Sequence, residues 1–523
     1  MSLTRRMFLE RLAGSAGAAM TYEAMVAMGM MAVPARSAEA FSLQGPVAGV
    51  RVVVLGGGLA GMSTAYELGK LGYDVTVLEA RRRPGGRCHT IRRGTVSEEE
   101  GSTDVCTFDE GLYYNPGPMR IPHHHTATLG YCRELGVPVE VFVNDNEAAF
   151  LYQTNADKLS GTRLRGREVR SDLSGYTAEL LSKAMSAGSL DEAMTPADRD
   201  ALIEYLGRAG ALQQRKYGGS ARRGYASPPG AGTSAGTASP PLPLDELLGS
   251  KTGLYLQTEY LQQAPMFQVV GGNDRLAAGF ASKLKDRIVY GARVTEIRQS
   301  SSGVEVVYDQ DGVAARAAGS FGVCAMPLNM VASLPVVDLA PDLKAAMAAL
   351  VYSSTGKIGL QFRRRFWEED DGIFGGISRT DQEIAQIVYP SSGYLGQKGV
   401  LVGYYQSGPR AGEMAARPHA VRQALALAQG QKLHPQYASD FEASFSVSWQ
   451  NVTFNKGGWV QWSPAARTSA YPKLLEPDRR MYFAGDHCSH LTAWMAGALE
   501  SGRATAKALH VRAAQDAPQT AVA

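Results

Sequence analysis

Three glycines and an acid are the first residues whose spacing indicates chemistry. Gly56, Gly58 and Gly61 follow the apolar run 51–55, and Glu79 ends the next apolar run. Gly56 allows a tight turn, Gly58 lets the backbone approach a pyrophosphate, and Gly61 lets a helix pack on the strand. The phosphates would lie at the helix start, where free N–H groups and the helix dipole favour anions. We predict a dinucleotide-binding βαβ unit in which Glu79 accepts ribose hydroxyls and disfavours NADP.

Two further glycine-containing segments could complete such a site. The segment 83–87 reads Arg-Pro-Gly-Gly-Arg, and it offers backbone amides and a guanidinium to the same pyrophosphate, or it is a surface turn. Near the carboxyl end, Gly485 and Asp486 follow the apolar residues 481–484 and precede a helix pattern from about Trp494 to Ala513. Strand, glycine, acid and helix predict a diphosphate or ribityl contact.

The elements that position these residues follow from periodicity and composition. Residues from about 160 to 215 have helical periodicity and predict a helical insertion. The stretch 218–243 is rich in Gly, Ser, Ala and Pro, which predicts a long loop acting as a lid or a linker. Strands are expected near 287–290, 294–298 and 304–308. A second β-rich region follows from 352 to 405, in which 357–362 alternates as a half-buried strand should.

Composition excludes several classes of function. The chain has 523 residues, 45% of them apolar, and a formal net charge of +3, so two or three globular domains are expected. There is no basic stripe with interleaved aromatics, so a nucleic-acid partner has no electrostatic support. Five cysteines without a CxxC pair predict neither a disulfide framework nor a zinc site. The side chains of His123, His124 and His125 would diverge, so we expect no metal there.

The amino terminus carries an arginine pair, Arg5 and Arg6, followed by the weakly apolar stretch 12–33. This pattern over residues 1–40 resembles a twin-arginine export signal and predicts a periplasmic or secreted protein, or a cytoplasmic one if the signal is not processed. The alternative is a disordered leader with a chance arginine pair. Because Glu23 interrupts the stretch and its hydropathy is modest, we expect no stable membrane insertion.

Four separated motifs resemble the flavin-dependent amine oxidases and, within them, the L-amino acid oxidases of the bacterial, broad-spectrum type. The resemblance covers roughly residues 50–130 and 265–510. Its first motif, from Gly56 to Arg87, by itself implies only FAD, and we expect the family resemblance to mean non-covalent binding. Its second, 114–122, is similar to the segment in which L-amino acid oxidases place the arginine that holds the substrate carboxylate, here Arg120. A planar guanidinium can bind a carboxylate through two charge-assisted hydrogen bonds, and simple amines lack that partner.

The other two motifs imply further catalytic residues. The third, 354–368, is similar to the strand whose lysine reaches the flavin N5 through a water, here Lys357. On the neighbouring strand, Tyr404 stands where a tyrosine shares the carboxylate with the arginine, although Tyr405 lies beside it and alternation points the two oppositely. The fourth, 482–497, places Trp494 as the wall beside the substrate amine. It departs from the family at Asp486, where Glu is usual, and at Ala493, where Gly is usual.

The resemblance implies an α/β fold, with a Rossmann-like FAD-binding domain of the amine oxidase type, a mixed-sheet substrate domain and a helical insertion. It divides the chain into a signal segment (1–40), FAD-binding parts (41–100, 265–348 and 466–523), substrate-domain parts (101–160 and 349–465), the helical insertion (161–217) and the Gly/Ser/Pro-rich loop (218–250). The cofactor-binding residues that it implies are Gly56, Gly58, Leu59, Ala60, Gly61, Glu79, Ala80, Arg81, Gly86, Arg87, Pro118, Met119, Arg120, Val294, Trp459, Gly485, Asp486, Ala493 and Trp494.

The implied reaction is FAD-dependent oxidative deamination of an L-amino acid by dioxygen to a 2-oxo acid, ammonia and hydrogen peroxide, in a homo-oligomer. Its rate should rise with pH as the substrate amine deprotonates. Alternatives are a monooxygenase that releases an amide, a monoamine or polyamine oxidase, and a flavoprotein subunit that passes electrons to a partner. The pocket floor is expected from the insertion, the approach 260–268 and the strands near Tyr389 and Tyr404, with a preference for large apolar or aromatic side chains.

Overall fold

The structure is a computed structural model that describes residues 41–45, 49–187, 195–231, 234–256 and 259–516. The twin-arginine segment predicted for residues 1–40 lies outside these described residues. Within them, no helix is both long enough and apolar enough to cross a membrane.

The described strands and helices are numbered separately in chain order. The strands are β1 (Arg51–Leu55), β2 (Asp74–Glu79), β3 (Ile91–Arg92), β4 (Tyr113–Tyr114), β5 (Val139–Val143), β6 (Phe150–Tyr152), β7 (Arg163–Arg165), β8 (Tyr225–Ser227), β9 (Thr237–Ala238), β10 (Pro265–Val269), β11 (Ile288–Tyr290), β12 (Ala292–Gln299), β13 (Val304–Gln310), β14 (Val313–Gly319), β15 (Phe321–Cys324), β16 (Val336–Val337), β17 (Thr355–Phe362), β18 (Ile377–Thr380), β19 (Gln386–Val388), β20 (Gly399–Ser407), β21 (Phe441–Ser448) and β22 (Met481–Phe483). The helices are α1 (Leu59–Lys70), α2 (Thr126–Glu134), α3 (Gly166–Ser186), α4 (Pro196–Ala209), α5 (Leu244–Gly249), α6 (Asp274–Leu284), α7 (Leu328–Val331), α8 (Pro341–Ala348), α9 (Phe366–Glu369), α10 (Pro409–Ala415), α11 (His419–Leu433), α12 (Tyr437–Asp440), α13 (Pro464–Ser469), α14 (Tyr471–Leu475) and α15 (Met495–Asp516).

The first sheet is parallel and carries the predicted glycine turn. Its strand order is β11-β2-β1-β15-β22, so β1 lies between β2 and β15. The β-branched run Val52–Val54 is fully buried, as expected for a strand that is covered on both faces. The chain passes from β1 to β2 on one side and reaches β15 on the other side only later, so the strand order switches at β1. The crevice at the carboxyl end of such a strand is where open α/β sheets bind ligands. The predicted α/β fold class is therefore confirmed.

The second large sheet is mixed, with the order β21-β17-β20-β19-β18-β6-β7. All eight residues of β17 are buried, whereas the alternation of 357–362 predicted a half-buried strand. That expectation was wrong because β17 lies in the sheet interior, paired with β20 and β21, and α10 and α11 pack close to it. A strand covered on both faces loses the alternation of exposure.

The helical insertion contains α3 and α4, and the Gly/Ser/Pro-rich segment packs against it. That segment holds the short β8–β9 ladder and α5, where the sequence predicted a long loop. Its order comes from a fully buried carboxylate on α3: Asp172 accepts hydrogen bonds from Tyr217 Oη at 2.7 Å, Arg223 Nε at 2.6 Å and the backbone N–H of Leu242 at 2.9 Å. A buried carboxylate must be paired, so the segment is fixed at both ends.

Candidate active site

A cavity of about 760 Å³ opens at the carboxyl end of β1 and continues to β17 and β20. This volume falls within the range of ligand pockets, about 300–1,000 Å³. All the site residues predicted from the sequence line this one cavity, except Gly61 and Tyr404. They come from six stretches of chain, 56–87, 118–120, 294, 357, 459 and 485–494, and the two sheets bring them together.

The helix start at one end of the cavity has the geometry of a phosphate cradle. Gly56 has a φ of +105°, which favours glycine, and it connects β1 to α1. At Gly61 a Cβ would lie 2.1 Å from the Gly56 carbonyl oxygen, so this glycine serves helix packing and not the cavity lining. No side chain of a described residue caps α1 at Gly58, so the N–H groups of its first turn remain available to an anion.

The acid predicted for ribose binding lies beside this turn. Glu79 accepts the Gly57 N–H at 2.7 Å and the Arg81 N–H at 2.8 Å, so its carboxylate is held at the cavity wall. Arg81 in turn pairs with Glu98 at 2.8 Å. Burial alone would raise the pKa of Glu98, but Arg83 and Arg81 outweigh it and lower that pKa to about 2.

Arg87 and Asp486 form an ion pair in the middle of the cavity wall. Burial acts against the charge of Asp486, but the Arg87 guanidinium outweighs it and holds the pKa of that carboxyl below its usual value. The second oxygen of Asp486 accepts the Ala493 N–H at 3.0 Å, and Ala493 has a φ of +71°. The shorter acid thus braces the turn that carries Trp494, and Arg87 is paired with protein instead of remaining free for a pyrophosphate.

These features fit a flavin dinucleotide. The glycine turn would place the pyrophosphate at the start of α1, Glu79 would hold the adenosine ribose, and the cavity extends past Gly485 and Trp459 toward Lys357. When bound, a flavin would supply the two-electron chemistry.

Arg120 lines the cavity, and its side chain forms one hydrogen bond within the described part of the chain, to a neutral group. Its Nη1 donates to Asn144 Oδ1 at 2.7 Å, and no carboxylate of a described residue pairs with it. Burial lowers the pKa of Arg120, and the nearby Arg379 lowers it further, yet an arginine stays charged in proteins. The arrangement leaves most donors of a cavity-lining guanidinium free for an anionic ligand.

Lys357 is fully buried on β17 and lies below the ring of Tyr405, with Nζ 4.4 Å from the ring centroid. Its Nζ donates to the carbonyl oxygens of Asn115 at 3.2 Å and Gly117 at 2.5 Å, in the segment that leads to Arg120. Burial, and then the charge of Arg120, lower the pKa of Lys357 well below its usual value. This lysine therefore ties β17 to the arginine-bearing segment.

The tyrosine of the cavity is Tyr405, and the prediction of Tyr404 was wrong in position. Lys357 pairs directly with Tyr405 across the strands, and directly paired residues share a face. Tyr404 pairs with Ile358, is fully buried, and belongs to the core on the opposite face of the sheet. Burial raises the pKa of Tyr405, so its phenol stays protonated and can donate to a carboxylate.

Aromatic side chains close the cavity around these polar groups. Trp494 lines it and meets the ring edge of His125 at a centroid distance of 5.0 Å. Trp449 also lines it, with Nε1 donating to the Pro116 carbonyl at 3.1 Å, and the sequence reasoning missed it. A tryptophan at the end of an alternating strand, β21, was the available signal.

Part of the expected pocket floor lies elsewhere. Tyr389 is buried in the core and hydrogen-bonded to Ser378 and His434, and none of the described insertion residues lines the cavity. Only Gln262 of the approach 260–268 reaches it. Among the described residues, no group of three or more His, Cys, Asp or Glu side chains is arranged to hold a metal ion.

Known proteins share the sequence pattern over most of the chain. The model of the flavin containing amine oxidoreductase family matches residues 59–510. An L-amino-acid oxidase of Bothrops jararacussu, BjussuLAAO-I, is 28% identical over 86% of this chain and 88% of its own. The L-amino-acid oxidase of Protobothrops flavoviridis is 27% identical over 87% of this chain and 88% of its own.

Solved structures share the fold. A putrescine oxidase bound to putrescine superposes with a TM-score of 0.60 and 18% identity, covering 88% of this chain and 99% of the other. The cyclohexylamine oxidase from Brevibacterium oxydans gives 0.59 and 17%, covering 88% of this chain and 99% of the other. With a flavin cradle, a matching fold and a family model that spans most of its length, the chain belongs to the flavin-containing amine oxidoreductases, as its sequence motifs predicted.

Proposed function

We propose that the protein is an FAD-dependent L-amino acid oxidase that binds its cofactor non-covalently. The observation that carries this proposal is Arg120, a charged guanidinium that lines the cavity and forms no ion pair with any described carboxylate. A desolvated cation without a counter-ion is costly, so a ligand with a carboxylate gains binding energy there and a simple amine does not. The relatives named L-amino-acid oxidases agree with this choice.

Each step at the substrate uses a named group of the chain. Arg120 and the protonated Tyr405 bind the carboxylate, which orients the Cα–H toward the end of the cavity where the flavin ring would lie. Lys357 holds the segment bearing Arg120 and keeps a donor for a water beside the reacting carbon. Trp494 and Trp449 exclude bulk water from the amine side. The chain need not supply a strong base if the substrate enters with a neutral amine, so the rate should rise with pH.

The aromatic lining favours large apolar or aromatic side chains. Trp449, Trp494 and Tyr405 together with Met119 offer apolar surface near Arg120, and Glu259, the acid nearest in sequence to Gln262, is exposed. We expect higher turnover of L-phenylalanine and L-leucine than of L-arginine. A preference for L-arginine would contradict this part of the proposal.

The test is a peroxide-coupled assay of the FAD-loaded protein with L-amino acids, their D-enantiomers and the matching decarboxylated amines, with product masses. A 2-oxo acid and stoichiometric peroxide from L-substrates alone are expected. An amide product would indicate a monooxygenase, turnover of benzylamine or putrescine would indicate an amine oxidase, and flavin reduction without peroxide would indicate a subunit that passes electrons to a partner. Each of these outcomes refutes the proposal.

Export and assembly are separate proposals. The arginine pair at residues 5 and 6 supports export through a twin-arginine route of a protein already folded around its cofactor. Fractionation with and without substitution of both arginines tests it. We further propose a homo-oligomer, which light scattering of the loaded protein tests.

A further inference from the structure

The contact that holds Arg120 is made by a neutral side chain. Arginine can only donate hydrogen bonds, so Asn144 must present its amide oxygen to Arg120 Nη1, at 2.7 Å. Asn144 is 5% exposed, and its own backbone N–H donates to the Ala264 carbonyl at 2.7 Å. It directly follows β5, which is paired with β10. The backbone that carries this amide is therefore fixed before any ligand arrives.

An acid lies only one residue away and is directed elsewhere. Asp145 forms an ion pair with Arg170 at 3.0 Å and none with Arg120. A carboxylate at position 144 would have nearly the shape of the amide and would form a stronger bond to the same guanidinium. It would also cancel the charge that an anionic ligand needs. The chain thus places an amide at the contact and an acid beside it.

We infer that Asn144 is a positioning residue for carboxylate recognition: it fixes the direction of the Arg120 guanidinium without neutralising it. The inference rests on the proposed function, since it assigns the selectivity for carboxylate ligands to the neutrality of this contact. Holding an arginine by a neutral acceptor keeps its remaining N–H groups and its full charge for the substrate. A structural carboxylate in the same place would make the cavity a poor anion site.

The test compares two ligands of the same shape, benzoate and benzamide, that differ in charge. Each is titrated into the FAD-loaded protein, and the change in the flavin absorbance spectrum gives the dissociation constant without turnover. The unsubstituted protein should bind benzoate at least about tenfold more tightly than benzamide. In Asn144→Asp, benzoate binding should weaken by about tenfold or more, while benzamide binding changes by less than about threefold.

Two further variants separate charge position from other effects. The double variant with Asn144→Asp and Asp145→Asn conserves net charge and composition but moves the carboxylate onto Arg120. It should lose the benzoate preference as the single variant does, whereas recovery would mean that overall charge and not this contact decides. Asn144→Ala removes the contact without adding charge, and should weaken benzoate by about three- to tenfold because the guanidinium is no longer held.

The outcomes distinguish this inference from the proposed function. If the unsubstituted protein prefers benzoate but Asn144→Asp binds it equally well, the role of Asn144 is refuted and the oxidase proposal stands. If the unsubstituted protein shows no preference for benzoate, both are refuted. If Asn144→Asp does not load FAD, Asn144→Ala decides, and unchanged benzoate affinity in that variant overturns the inference. Equal weakening of both ligands would indicate general damage to the cavity and would also overturn it.

Discussion

The hydroxyls of Tyr404 and Tyr405 should have very different effects on activity. Tyr405 lines the cavity, and Tyr405→Phe retains its ring 4.4 Å from Lys357 Nζ while removing only the hydroxyl. A hydrogen bond to a charged group contributes about 1.5–3 kcal/mol. Tyr405 is only partly buried, so water compensates part of the loss, and we use the lower limit. At about 1.4 kcal/mol per factor of ten, kcat/KM for L-phenylalanine should fall about tenfold.

Tyr404→Phe is the matched control on the neighbouring residue. Its hydroxyl is fully buried near Ser446 and Arg422, but it forms no hydrogen bond of standard length and angle with any described residue. Removing a polar group that lacks a partner costs nothing and can stabilise the fold by about 1 kcal/mol. We therefore expect kcat/KM within about twofold of the unsubstituted enzyme and a thermal midpoint that is equal or higher.

The assay for both variants is steady-state peroxide production with L-phenylalanine, with the flavin content of each preparation measured. A larger loss in Tyr404→Phe than in Tyr405→Phe would refute the strand register argument and return the carboxylate role to Tyr404. Equal activity in all three proteins would show that Arg120 binds the carboxylate without a tyrosine.

Three further predictions concern stability and local order. Ala493→Gly should raise the thermal midpoint of the FAD-loaded enzyme by about 1 °C. A φ of +71° strains alanine by about 1–2 kcal/mol, and the greater conformational freedom of glycine in the unfolded chain cancels about half of that gain. A lower midpoint would contradict this. Glu98→Gln should cost about 1–2 kcal/mol in the free energy of unfolding above pH 5, after allowance for partial exposure, and nothing near pH 2. The pKa of the Glu98 carboxyl falls from 4.5 in the unfolded chain to about 2 in the folded protein. The ionised group therefore stabilises the fold above pH 4.5, and this contribution is lost as the pH falls through about 2. Urea midpoints of both proteins at pH 6 and pH 3 test this, and a difference between them that grows toward acid would contradict it. Asp172→Asn should leave kcat unchanged but speed proteolysis within 218–243 by about tenfold or more. The substitution leaves Arg223 buried without its counter-ion, and removing one partner of a buried ion pair costs about 3–5 kcal/mol. An unchanged cleavage rate would contradict this prediction.

The parts of the site that could be predicted are those written locally in the chain. The turn from Gly56 to Gly61 and the acid at Glu79 lie within one βαβ unit, so spacing alone indicates their geometry. Arg120 was predicted through its motif, by resemblance. Its role remains a proposal.

What could not be predicted depends on pairing between distant strands. The sequence alone does not distinguish Tyr404 from Tyr405, because only the pairing of β20 with β17 decides which of them faces the cavity. That pairing also contains a register shift, between Ile358 and Gly359. Asn144 lies 24 residues from Arg120 and meets it only because β5 and β10 fold beside that segment. The insertion was predicted as helical, but its distance from the cavity could not be, because periodicity says nothing about which face meets a ligand.

The carboxylate of Asp172 has a consequence for how this chain tolerates change. Because Arg223 and Leu242 are tied to the same buried group, the ends of the segment between them stay close together whatever its length. Doubling a flexible loop whose ends are already fixed costs only about 0.6 kcal/mol in closure entropy. The tip between β8 and β9 is therefore a permissive place to insert a peptide tag or a second domain. An insertion there should leave the cavity unchanged and should reduce the free energy of unfolding only slightly.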